Sequence, residues 1–187
     1  MSKRSLIREA VRKLLDGVAD DPARGGLEET PDRAAKAWEF WCGGYSKDPA
    51  DVLKVFEDGA DGYDQMITVK NIPIYSHCEH HLAPIFGTVT ISYIPNGRIV
   101  GLSKLSRIAD LYARRLQVQE RMTAQIADAL WDNLQPLGVG VFMSARHLCM
   151  ESRGICQQGH HTVTTALRGL FLTDDSTRQE FLETARN

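Results

Sequence analysis

Apolar residues recur along this chain in two rhythms, and each predicts a different kind of element. Leu6, Val11, Leu14, Leu15 and Val18 fall at spacings near 3.6, the stripe of an amphipathic helix. A second helix starts at Thr30-Pro31, with Thr as N-cap and Pro in the first turn. It runs through Trp38 and stops near Gly43-Gly44. Residues 1–65 thus read as a helical arm that ends in the turn-rich segment 58–62, Asp-Gly-Ala-Asp-Gly. From residue 66 the rhythm shortens to alternation, predicting strands over 67–72 and 85–94, the second closed by Pro95-Asn96-Gly97. Two helices follow. One runs from Ser103 as N-cap through Leu111, the other over about 118–134 with Met122, Ile126, Ala129 and Leu130 on one face. Strands over 139–143 and 162–167 come next. Ser176-Thr177-Arg178-Gln179 has the capping-box pattern of a terminal helix. The order predicts an α+β fold: an arm over 1–65, then ββααββ and a last helix over 66–187.

Composition narrows the class without naming it. The chain has 187 residues, 43% of them hydrophobic, enough to fill a sizeable core. Lys and Arg number 22 against 24 Asp and Glu, a net charge of −2, so a polybasic nucleic-acid or membrane binder is not expected. No apolar run approaches the roughly 20 residues of a spanning helix. The charged, interleaved start resembles neither signal peptide nor anchor, and a cytoplasmic protein is expected.

The chemistry sits in two short windows. His77, His80 and His81 share the first with Cys78; His147, His160 and His161 share the second with Cys149 and Cys156. Clustered His and Cys without secretion signals point to metal or catalysis rather than to a disulfide frame. Cys42, after Trp38 and Trp41, reads as a small buried hydrophobe. Cys78 and His81, separated by two residues, can clamp one tetrahedral zinc, with Cys149 as a third ligand and His77, His80 or His147 as alternatives. Two thiolates and an imidazole leave a fourth position for water, whose pKa zinc lowers to about 7. His77-Cys78-Glu79 matches half of the zinc deaminase signature, but the required Pro-Cys-x-x-Cys is missing.

Two further constellations bear on a substrate. Lys104 and Arg107, three apart at a predicted helix start, share a face suited to anions, and Arg153 follows the third zinc candidate. No Walker-type loop is present. Glu120, in the first turn of the long helix, is either an ordinary dipole-favoured carboxylate or an acceptor for guanine N1–H and its exocyclic amine.

Taken together, Cys78-Glu79-His80-His81, Gly101-Leu102-Ser103-Lys104, residues 117–121 (Gln-Val-Gln-Glu-Arg) and His147-x-Cys149-x-x-x-Arg153-Gly154 resemble the GTP cyclohydrolase I family. Residues 162–165 and Glu29-Thr30-Pro31-x-Arg33 extend the match in the family's order. The resemblance implies a T-fold (tunnelling fold) after a helical arm, assembled into a toroidal homodecamer with active sites at subunit interfaces. It implies zinc-dependent opening of the guanine imidazole ring of GTP, formate release and rearrangement to 7,8-dihydroneopterin triphosphate, the first step toward tetrahydrofolate and other pterins. By the same resemblance Cys78, His81 and Cys149 hold zinc, and His80 and His147 are catalytic. Ser103 lies where the ribose is handled. Glu120 with Gln119 holds guanine, and Lys104, Arg107, Arg153, Arg33 and Lys36 grip the triphosphate. The loop Cys156-Gln-Gln-Gly-His160-His161 departs from the commonest family wording. Two other readings remain: a catalytically silent T-fold paralogue that binds nucleotide, and a thiol enzyme of the nitrile reductase type that needs no zinc.

Overall fold

The computed structural model describes residues 2–57 and 62–187, so all but Gly62 of the expected turn at 58–62 lies outside the described residues. The chain forms two compact units, Met1–Gly43 and Gly44–Asn187.

The first unit is a pair of helices. α1 (Lys3–Val18) is capped by the Ser2 hydroxyl, which accepts from Ser5 N at 3.1 Å. α2 (Thr30–Trp41) has Pro31 in its first turn as expected, but Glu29 rather than Thr30 occupies the N-cap. Arg4–Glu39 at 3.7 Å and Arg8–Asp32 at 3.6 Å link the two helices. Leu6, Leu14 and Val18 remain exposed on α1. Cys42, just past α2, is half-buried rather than buried.

The second unit is built on a five-stranded sheet. Its elements in chain order are α3 (Pro49–Val52), β1 (Val55–Phe56), β2 (Ile67–Cys78), β3 (Pro84–Ile94), β4 (Ile99–Val100), α4 (Leu102–Ala113) and β5 (Leu116–Gln117). There follow α5 (Gln119–Leu134), β6 (Gly138–His147), α6 (Leu148–Glu151), β7 (Thr162–Gly169), α7 (Leu170–Thr173) and α8 (Asp175–Arg186). The sheet order is β5-β2-β3-β6-β7, antiparallel except where β5 runs parallel to β2; β1 and β4 form a separate two-stranded pair.

Alternation along the strands sends side chains to two cores. Val139, Val141 and Met143 of β6 join Ile74, Val89 and Ile91 beneath Leu105 and Ile108 of α4 and Met122, Ile126 and Leu130 of α5. Phe142, on the opposite face of β6, joins Ile94, Phe171 and Phe181, whose rings meet edge-on at 5.3 Å. A Cβ at Gly140 would stand 2.9 Å from the Phe171 ring and 3.0 Å from that of Phe181, so glycine there lets the aromatic pair seat on the strand. Gly87 plays the same part between strands: a Cβ there would come within 2.1 Å of the Ser144 carbonyl oxygen. The close approach fixes a β3–β6 register in which Gly87 faces Ala145 and Ile85 faces His147.

Further boundaries also differ from expectation. Ser103 is not the N-cap of α4, which begins at Leu102 after Gly101, without a side-chain cap. The cap of α8 is Asp174, whose carboxylate accepts from Thr177 N at 2.7 Å; Ser176 donates to the same oxygen. β2 and β6 each run on past their predicted ends, to Cys78 and His147.

Candidate metal and catalytic site

Three chain segments converge where β2 and β6 end. Cys78 closes β2, and its N–H donates to the Ala83 carbonyl at 2.8 Å; Leu82 N–H donates back to the Cys78 carbonyl at 2.8 Å. This tight turn places Leu82 in the left-handed region, at φ 55°, sparsely populated for a branched side chain. The turn aims His81 back at the strand it left. β6 ends at His147, opposite Ile85, and α6 then brings up Cys149. Parallel pairing of Cys78 with Gln117 sets the head of α5 beside both.

The ligating atoms of Cys78, His81 and Cys149 lie within 4.8 Å of one another, the one such cluster of three or more His, Cys, Asp or Glu among the described residues. Cys78 Sγ is 3.9 Å from His81 Nδ1. The donor set fits zinc: two sulfurs and an imidazole nitrogen, three protein ligands being the count of a catalytic site. Burial and the neighbouring Cys78 thiol push the Cys149 thiol up, while Arg153 pulls it back. Two thiolates this close repel each other, and a divalent cation between them relieves that repulsion. The alternative ligands His77, His80 and His147 are not in the cluster.

A pocket of about 240 Å³ opens over this cluster and is lined also by His80, Glu120 and His147, with Ile85 and Met150 as apolar walls. Burial pushes the His147 imidazole down, with nearby Glu120 opposing. Gln119 also borders the pocket, but its side chain is buried and engaged, with Oε1 2.7 Å from His147 Nε2. The reading of the sequence placed Gln119 beside guanine and missed this contact; nothing in the spacing of residues 117–121 signals it. Glu79 is gripped by Arg121, which pulls its carboxyl below the usual range.

The expected phosphate ligands are more scattered. Lys104 and Arg107 lie in the first turns of α4, Arg107 exposed, with Ser103 exposed between Leu102 and Lys104. Arg153 is exposed after α6. No Lys or Arg lines the pocket. Arg33 and Lys36 belong to α2 in the first unit, where Arg33 pairs with Glu29. His160 and His161 join no metal cluster among the described residues.

A cluster of two cysteines and a histidine able to hold a metal ion, where β2 and β6 of a ββααββ fold end, defines the class, and relatives specify it. The GTP cyclohydrolase I family model matches residues 7–186. GTP cyclohydrolase 1 of Janthinobacterium sp. (strain Marseille) is 59% identical over 175 residues, covering 94% of this chain and 88% of the relative. That of Nitrosospira multiformis is 53% identical over 176 residues, covering 94% and 92%, and that of Chlorobium phaeovibrioides 50% over 180, covering 95% and 79%. Among solved structures, an archaeosine synthase QueF-Like in the apo form matches with a TM-score of 0.45 and 17% identity, over 56% of this chain and 93% of that one. The chain belongs to the GTP cyclohydrolase I family, and its fold is the T-fold.

Proposed function

We propose that this chain hydrolytically opens the guanine imidazole ring of GTP, releases formate and rearranges the remainder to 7,8-dihydroneopterin triphosphate, the first step toward tetrahydrofolate. The observation that carries the reading is the Cys78–His81–Cys149 cluster beneath a pocket walled by His80, His147 and Glu120, in a chain matched to the family across residues 7–186. Cys78, His81 and Cys149 would hold zinc, which when bound supplies Lewis acidity and hydroxide near neutral pH.

The chain's own groups then divide the work. His80 and His147 carry protons to and from the purine nitrogens and the departing formate, a task suited to imidazole. Glu120 accepts from guanine N1–H and the exocyclic amine. Ile85 and Met150 exclude water from the ring. Lys104, Arg107, Arg153, Arg33 and Lys36 grip the triphosphate, and Ser103 handles the ribose. A pocket lined by no cation does not hold a triphosphate by itself. That supports a homo-oligomer, a toroidal decamer in our reading, in which a second copy completes each site. The parts are an arm over 1–65 and a catalytic domain over 66–187, in a cytoplasmic protein. Among the described residues no helix is long and apolar enough to cross a membrane. A silent paralogue is not favoured, because each expected ligand and catalytic histidine is present.

The test is incubation of purified protein with GTP, with and without a chelator. Formate and a pterin fluorescent after oxidation are expected, both lost on chelation and restored by zinc. No product from zinc-replete protein would refute the assignment.

A further inference from the structure

We infer that Gln119 is a positioning residue that locks His147 in one tautomer, an inference that rests on the function proposed above. The Gln119 side chain is 1% exposed, held between β6 and β7 at the head of α5. One end of its amide lies 2.9 Å from the Thr162 carbonyl oxygen and 3.4 Å from that of Met143. Carbonyl oxygens only accept, so that end is the NH2 group. It also meets Thr164 Oγ1 at 3.1 Å. Thr164 Oγ1 is 2.7 Å from Thr123 Oγ1, which is 2.7 Å from the Gln119 backbone oxygen. The hydroxyl protons therefore have one consistent order. Gln119 donates to Thr164, Thr164 to Thr123, and Thr123 back to the carbonyl of Gln119.

With the nitrogen assigned, Oε1 is the atom facing His147 Nε2 at 2.7 Å. An amide oxygen cannot donate, so Nε2 carries the hydrogen, and the lone pair of the neutral ring is on Nδ1. The Nε2–H···Oε1 bond holds the ring in this orientation and leaves Nδ1 as its one acceptor atom. A carboxylate at position 119 would accept equally well but would face the Thr162 and Met143 oxygens without protons to offer. Guanine recognition at the head of α5 then falls to the side chain of Glu120.

Nitrogen NMR of zinc-loaded enzyme with 15N-labelled histidine tests this directly, with His147→Ala to assign the ring. The expected neutral ring is protonated at Nε2; protonation at Nδ1 would overturn the inference, and this measurement needs no folded Gln119 variant. Gln119→Leu should keep zinc and bind GTP with a dissociation constant within about threefold, while kcat falls about 10²-fold. Gln119→Glu should lose rate similarly. The double variant Gln119→Leu/His147→Ala should be no slower than His147→Ala. A raised KM with kcat intact would make Gln119 a guanine contact instead. Failure of the unmutated protein to turn over GTP would sink the proposed activity and leave the tautomer result standing.

Discussion

Arg121, in the first turn of α5, closes its guanidinium on the carboxylate of Glu79, the residue that follows metal candidate Cys78. The same guanidinium donates to the Leu116 carbonyl at 3.3 Å and to Gln117 Oε1 at 3.2 Å, so it ties the 78–83 turn to the β5–α5 junction. Both side chains are partly exposed, and their value is geometric rather than a large stabilisation. Arg121→Ala should fold and bind zinc but release it to a competing chelator about 10–100 times more readily. Unchanged chelator resistance would show that the turn holds itself.

Removing any one of Cys78, His81 or Cys149 should abolish zinc content and turnover together, since three ligands leave no spare. Elemental analysis of the three alanine variants checks this; full zinc in any of them would exclude that residue as a ligand. Chelation of the native protein should leave two neighbouring thiols, and a mild oxidant should join Cys78 to Cys149 with loss of two hydrogens, read by mass spectrometry. Two free thiols after that treatment would mean the backbone holds them apart.

His147→Ala and His80→Ala should retain zinc and GTP while losing about 10²–10⁴-fold in rate each, the usual worth of a positioned proton carrier. Loss of zinc with either histidine would make that residue a ligand.

The sheet was legible because its strands are long enough to alternate. The ββααββ order and the two sheet-covering helices followed from periods of two and 3.6, and the terminal helix from the capping-box pattern at residues 176–179. What escaped was short or tertiary. β1, β4 and β5 have two residues each, too few for any period, and α7 has four. Ser103 and Ser176 matched cap residue preferences, yet Gly101 and Asp174 took the cap positions, because a cap is decided by backbone angles that neighbouring contacts impose. In the site, the Cys-x-x-His spacing announced two ligands and Cys149 was the candidate third, but that the three atoms meet within 4.8 Å depends on how β2 and β6 pack. Gln119 was legible as a polar residue beside Glu120. Its bond to His147 was not, because it depends on β6 and β7 lying beside the head of α5.

Base choice should rest on Glu120. Adenine offers a lone pair at N1 and no amine at C2, so a carboxylate there is left unpaired, and discrimination by about 10⁴–10⁵ is expected from such a site. Formate release measured with GTP and with ATP decides the matter. Glu120→Gln should weaken GTP; if it opens GTP as the native protein does, the carboxylate has no part in recognition.

Acid should weaken the cap of the C-terminal helix. The Ser176 hydroxyl and the Thr177 N–H lower the Asp174 carboxyl from 3.8 to about 2. A depressed carboxyl stabilises the fold above its unfolded value, and that contribution fades as pH falls from about 3.8 toward 2. Asp174→Ala should therefore be less stable than the native chain near neutrality and converge with it at low pH. Parallel stability curves for the two proteins down to pH 2 would contradict the cap's role.

The two halves of the metal cluster are also separated in time. Cys78 and His81 leave the ribosome roughly seventy residues before Cys149, an interval of several seconds at ordinary rates of synthesis. During that interval the β2–β3 hairpin can form, but β6 has not yet docked on β3, and a metal would meet only two ligands. Full coordination therefore waits until β6 is registered against β3 through the close contact at Gly87. Capture of a metal by all three residues would then be a late event of maturation, and an ion so held would report that the β2–β3–β6 portion of the sheet has been assembled in order.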